Sequence, residues 1–112
     1  MRNMSFMLTT DQIRSKTKTV TRRKGWWFLK EGDILQAVEK CQGLRKGQKM
    51  SKICLIRIIS THGERLSSIT EQECALEGFP GMRPDEFVTM FCKSHKNVTH
   101  DKIINRIEFE YL

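Results

Sequence analysis

The chain has 112 residues, with 20 Lys and Arg against 13 Asp and Glu and a net charge of +7. A hydrophobic fraction of 38% beside 29% charged residues excludes a disordered polyelectrolyte, and no apolar run has the length of a membrane span. This is the size of one compact domain, expected over 1–112, with enough chain to bury a core without disulfides or metal.

In chain order, 5–8 is short and apolar and predicts a first strand. Thr9 with Gln12 fits a capping box, so a short helix is predicted over 11–15. Threonine and valine favour a strand over 17–22. Gly25 breaks it, a bulky segment follows over 26–29, and Glu31-Gly32-Asp33 reads as a turn. A strand is predicted over 34–40 and an exposed basic loop over 42–49. The segment 51–60 is apolar on both faces and predicts a strand buried on two sides, in which Arg57 must reach solvent or a carboxylate.

Thr70 with Glu73 is a second capping box, predicting a helix over 71–76 that stops at Gly78. Pro84 fits the first position of a third helix, and Asp85 and Glu86 suit its first turn. Phe87, Met90 and Phe91 share one face at helical spacing and read as core. In 102–112, Ile103, Ile107, Phe109 and Tyr111 stand at odd positions among Arg106, Glu108 and Glu110, which predicts a half-buried strand. The class is α+β, with about five mostly antiparallel strands and two or three short helices, as a small barrel or curled sheet.

The chemistry concentrates in 18–27. Arg14, Lys16, Lys18, Arg22, Arg23, Lys24 and Lys30 form one basic group, and Arg45, Lys46, Lys49 and Lys52 a second. Such clustering favours a polyanionic partner, RNA or DNA. Trp26 and Trp27 add rings that can stack on unpaired bases. Neighbours on an extended segment face opposite ways, so one tryptophan is expected in the core and the other at the surface. Four cysteines, Cys41, Cys54, Cys74 and Cys92, include no Cys-x-x-Cys pair and read as reduced thiols. Cys92, His95 and His100 with Cys74 make a weak metal set, and neither metal nor cofactor is expected. Met1-Arg2-Asn3-Met4 opens no export signal, so the expected location is cytoplasmic.

Several motifs together resemble one family. They are Lys18-Thr19-Val20-Thr21-Arg22, Gly32-Asp33-Ile34-Leu35, Leu66 and Ile69-Thr70 leading into Glu77-Gly78-Phe79, and Ile107-Glu108-Phe109. Their order and spacing resemble the ASCH domain, of the PUA-like β-barrel superfamily, in its small bacterial or phage members. The family pattern Gly-x-Lys-x-x-Thr-x-Arg is met by Lys18, Thr21 and Arg23, with Arg22 one position early and Lys16 in place of the glycine. The resemblance implies a PUA-like barrel of about five or six strands whose cleft receives a nucleobase or RNA segment. Some family members are amidohydrolases that deacetylate N4-acetylcytidine with a lysine, a threonine and a glutamate. Lys18, Thr21 and Glu77 stand at those places.

The expected function is an ASCH-like domain that binds RNA or a modified nucleoside in a basic cleft. Lys16, Arg22, Arg23, Lys24, Trp26 and Trp27 are the expected gripping residues. The alternatives are an N4-acetylcytidine amidohydrolase using Lys18, Thr21 and Glu77, a ribonuclease on single-stranded RNA, and a non-catalytic protein-interaction module. No membrane partner is expected. Two physical questions stay open. Residues three apart on a regular strand face opposite sides, so Lys18 and Thr21 converge only if Lys18 precedes the strand or a bulge intervenes. A glutamate beside Lys18 also holds the lysine charged, against a role as base.

Overall fold

The computed structural model describes residues 1–40 and 44–112. Strands β1 (Asn3–Ser5), β2 (Val20–Arg23), β3 (Ile34–Val38), β4 (Lys52–Arg65) and β5 (Ile103–Tyr111) form one sheet, in the order β1-β3-β4-β5-β2. Among the described residues only β1–β3 is parallel, and the other three pairings are antiparallel. Three helices complete the α+β fold: α1 (Thr10–Arg14), α2 (Glu71–Leu76) and α3 (Pro84–Ser94). No helix among the described residues is long and apolar enough to cross a membrane.

The expected closed barrel is not formed. β1 and β2 are the two edges of the sheet, and among the described residues they share no ladder. A side chain spans them instead. Arg23 on β2 donates from Nη2 to the Ser5 carbonyl at the end of β1 (2.7 Å), and its guanidinium lies 4.8 Å from the centre of the Phe6 ring. Two edges bridged by a guanidinium stand too far apart for backbone pairing, so a gap remains between them.

The local reasons for the elements are mostly those of the sequence. Thr70 Oγ1 accepts from the Glu73 N–H (3.2 Å) at the start of α2. Pro84 opens α3, and the Glu86 carboxylate accepts from the Arg83 backbone (2.9 Å). The first helix forms without the expected cap: the Thr9 side chain makes no capping bond, and Thr10 Oγ1 instead donates back to the Phe6 carbonyl (2.9 Å). The Thr9 N–H also turns back to that carbonyl (3.0 Å), so the strand expected over 5–8 ends at Ser5 and a 3₁₀ turn occupies Met7–Thr9. The second strand starts late, at Val20. Thr17 and Lys18 give their N–H groups to the Gln12 carbonyl, wrapping the chain around the end of α1.

The core has two parts. Met4, Phe6, Ile13, Leu35, Ile56, Ile58, Ile107 and Phe109 form one cluster. Leu66, Ile69, Cys74, Phe87, Phe91, Val98 and Ile104 form the other, around α2 and α3. β5 joins them, with Ile104 on one face and Ile107 and Phe109 on the opposite one. Ile103 was expected inward but is half exposed at the strand's start. The two-sided burial expected for 51–60 is also absent. Within it Ile56 and Ile58 are buried, while Ile59 on the alternate face is exposed and the strand runs on to Arg65. Arg57 takes both routes foreseen for it, half exposed and 2.8 Å from the Glu110 carboxylate opposite. In the expected basic loop, 45–49 are exposed and 41–43 lie outside the described residues.

Gly78 ends α2 with φ +104, and a Cβ there would sit 2.9 Å from Gln12 Cγ. Gly78→Ala is expected to lower stability by about 1–3 kcal/mol through backbone strain and this clash; a thermal melt checks it.

Candidate functional site

Lys18 is fixed by three parts of the chain before its side chain is considered. Its backbone N–H reaches the Gln12 carbonyl (3.4 Å), and its carbonyl accepts from the Tyr111 hydroxyl (2.6 Å). The next N–H, of Thr19, donates to Leu76 at the end of α2 (2.9 Å). Lys18 therefore lies in the turn before β2, which removes the constraint of strand alternation. Lys16, at the glycine position of the family pattern, has φ +62, so the left-handed turn is kept without glycine. Lys18 and Thr21 consequently line one cavity.

Glu77 follows α2 directly, and Gly78 turns the chain behind it. Lys18 Nζ donates to Glu77 Oε1 (2.8 Å) and to the Glu77 carbonyl (2.7 Å). Both residues are 3% exposed. The other carboxylate oxygen, Oε2, accepts from Arg22 Nη1 (3.0 Å). Arg22 is also buried. It donates to Glu64 Oε1 from Nη2 (2.7 Å) and Nε (3.1 Å), and to Glu73 Oε1 from Nη2 (2.8 Å). Glu73 in turn accepts from Arg106 at 2.6 and 3.1 Å. An ion-pair chain thus runs from the cavity wall to the surface.

Burial pulls the Lys18 pKa below its ordinary 10.5; Glu77 opposes that shift, and Arg23 and Arg22 add to it. Burial also works against the Arg22 charge, but Glu77, Glu73 and Glu64 together raise its pKa. Hydrogen bonds from Arg106 and Arg22 and their charges outweigh burial at Glu73 and hold its carboxyl at about 2.

The cavity, of about 250 Å³, lies in the gap between the sheet edges and α3. Lys18, Thr21, Arg22, Arg23 and Glu77 make its polar part. Thr21 Oγ1 accepts from Arg23 Nε (3.1 Å). Phe6, Phe79, Phe87, Met90, Phe91 and His95 make the apolar part. The His95 ring stacks on Phe91 (4.1 Å, 13°) and donates from Nδ1 to the Phe91 carbonyl (3.0 Å).

Of the nine residues singled out in the sequence, Lys18, Thr21, Glu77, Arg22 and Arg23 come together here. Lys16, Lys24, Trp26 and Trp27 do not line this cavity. Lys16 is exposed on its turn, and Lys24 donates to the Lys96 carbonyl (2.8 Å). Trp26 packs against the first core cluster, while Trp27 is 54% exposed. The basic cleft is thus in part an ion-paired one. The aromatic wall was missed as a wall: the spacing of Phe87, Met90 and Phe91 is that of core residues, and here they are core and lining at once. The available signal was His95, which extends their stripe by one helical turn. Among the described residues, no group of three or more His, Cys, Asp and Glu stands where it could hold a metal.

Because the Glu73 pKa falls from 4.5 to about 2 on folding, its stabilising effect is complete above pH 4.5 and is lost as pH drops through 2. Glu73→Gln is expected to lose most stability near neutral pH, with the gap to the unaltered protein narrowing between pH 4.5 and 2. Chemical denaturation at several pH values checks this.

Comparison with solved structures shows the fold. An ASCH domain from Lactobacillus crispatus JV V101 superposes with a TM-score of 0.65 at 15% identity, covering 98% of this chain and 78% of that one. A DUF984 protein from Enterococcus faecalis V583 superposes with a TM-score of 0.70 at 14% identity, covering 100% and 76%. No family model and no curated protein matches the chain. The chain has an ASCH-like fold, built on an unclosed sheet.

Proposed function

We propose that the cavity takes one modified cytidine-type nucleoside and hydrolyses an acyl amide on its exocyclic N4. The observation that carries this reading is a buried lysine of lowered pKa, held by Glu77 on a base-sized cavity that Thr21 also lines. A volume of about 250 Å³ suits a base or nucleoside rather than a folded RNA. The phenylalanine wall offers ring faces to a planar pyrimidine.

In this mechanism neutral Lys18 takes the proton from the Thr21 hydroxyl as Oγ1 attacks the acyl carbon. The Arg23 guanidinium, beside Oγ1, stabilises the charge that builds on the acyl oxygen. Collapse breaks the C–N4 bond, and the amine leaves with the proton carried by Lys18. Water then attacks the Thr21 ester, with Lys18 again as base, and releases the carboxylic acid and free Thr21. Glu77 aims Lys18 through two contacts, one from its side chain and one from its backbone.

The test is release of cytidine from N4-acetylcytidine, followed by chromatography. Lys18→Ala and Thr21→Ala are each expected to lower kcat roughly 10²–10⁴-fold, the range of a positioned acid–base group. The rate should rise with pH as Lys18 loses its proton, with a midpoint below 10.5. Turnover that survives both substitutions would sink the reading. A second reading, binding without hydrolysis, is favoured by the 2.8 Å Lys18–Glu77 ion pair, which keeps the lysine a donor. It predicts that Lys18→Ala weakens cytidine binding while no product forms in any variant.

A further inference from the structure

Outside the cavity, the segment 25–29 is built in a way that the cavity does not require. Trp26 has φ +65, a left-handed conformation that strains a bulky side chain. A fully buried amide holds it there. Asn105, 1% exposed, donates from Nδ2 to the carbonyls of Gly25 (3.3 Å) and Trp26 (3.1 Å). The Leu29 N–H closes the turn onto the Trp26 carbonyl (3.2 Å). The turn buries part of Trp26 against the core and puts Trp27 and Phe28 outward, at 54% and 52% exposure.

The two outward rings differ. The Phe28 ring is already flanked by Trp26, at 5.5 Å, and by the Arg2 guanidinium, at 4.4 Å. Trp27 lies over Gly63 and beside Ile103. A Cβ at Gly63 would meet Ile103 Cγ2 at 3.1 Å, a tight approach, and the indole at 3.5 Å, an ordinary contact, so the outer edge of the indole lies close to the strand at Gly63. At 54% exposure the Trp27 indole keeps about half of its surface open to solvent. Arg65 is the direct register partner of Ile103 and is exposed next to it. Arg2 stands at the Phe28 end of the same segment.

We infer that Trp27 is a base-stacking platform for single-stranded RNA, with Arg65 and Arg2 holding the flanking phosphates. The chain's net charge of +7 and these flanking guanidiniums complement a polyanion. Only an unpaired strand offers a free base face to an indole. This surface is separate from the cavity and is independent of whether the cavity hydrolyses anything.

The experiment is fluorescence anisotropy of a labelled single-stranded RNA decamer at 50 and 200 mM salt, with thermal melts of each variant. Trp27→Ala is expected to weaken binding about tenfold or more, and Trp27→Phe to keep most of it. Affinity should drop about tenfold from low to high salt, as expected for two or three phosphate contacts. Lys18→Ala and Thr21→Ala should bind RNA like the unaltered protein. Equal affinity in folded Trp27→Ala, or no binding at 50 mM salt, would overturn the inference. So would a loss in Lys18→Ala as large as in Trp27→Ala, which would place the RNA in the cavity. Trp27-dependent binding of a glutamate-rich peptide without RNA binding would overturn it in favour of protein docking.

Discussion

The site depends on one carboxylate shared between two buried cations. Glu77 gives one oxygen to Lys18 and the other to Arg22, and all three side chains are nearly inaccessible. Removing such charges from water costs several kcal/mol per ion, so each needs partners placed in advance. Lys18 obtains a second acceptor from the Glu77 backbone. Arg22 obtains Glu64 and Glu73, and Glu73 is itself held by Arg106. The burial is tolerable because the chain of partners continues until it reaches residues in contact with solvent.

Sharing also bears on the objection that a glutamate beside Lys18 keeps it charged. A carboxylate paired with lysine alone would stabilise the ammonium fully. Here Arg22 draws on the same carboxylate and repels the ammonium, and Arg23 adds to the repulsion. Burial is the larger effect, and the result is a lysine that gives up its proton more readily than a free one. Arg22, read from sequence as a gripping residue, thus spends at least four donor contacts on protein carboxylates.

Local patterns in the sequence were enough for α2, α3 and the approximate strands. The Thr70–Glu73 cap, Pro84 and the alternation from Ile107 to Tyr111 each act within a few residues, and each is realised. The errors arise where a partner outside the local pattern decides. An apolar run over 51–60 says nothing about which layer covers each face, so Ile59 was misplaced. A strand over 17–22 ignores the Gln12 carbonyl, which captures Thr17 and Lys18 and delays β2 to Val20. A barrel or curled sheet was expected from strand content and a barrel from a family resemblance, and nothing in the local pattern could report the Arg23 bridge to Ser5. Within the site, Lys18, Thr21 and Glu77 were legible through that resemblance. Glu64 and Glu73 were not, because a need for counter-charges at Arg22 appears only once Arg22 is known to be buried.

The stretch 18–27 was a single basic and aromatic patch in sequence, and the backbone divides it. Lys18 lies before the strand and meets Glu77. Arg22 and Arg23 are register partners of Arg106 and Asn105, so they leave β2 on opposite faces. Arg22 turns to the carboxylates around α2, and Arg23 to the sheet edge and Thr21. Beyond Gly25 the left-handed Trp26 redirects the chain, so that Trp27 lands on the Gly63 and Ile103 side of the sheet, outside the cavity. Asn105 links the two halves physically. It pairs with Arg23 in the ladder and clamps the Gly25 and Trp26 carbonyls with its side chain. The clamp accounts for the buried Nδ2 of Asn105, while its Oδ1 has no hydrogen-bond partner among the described residues.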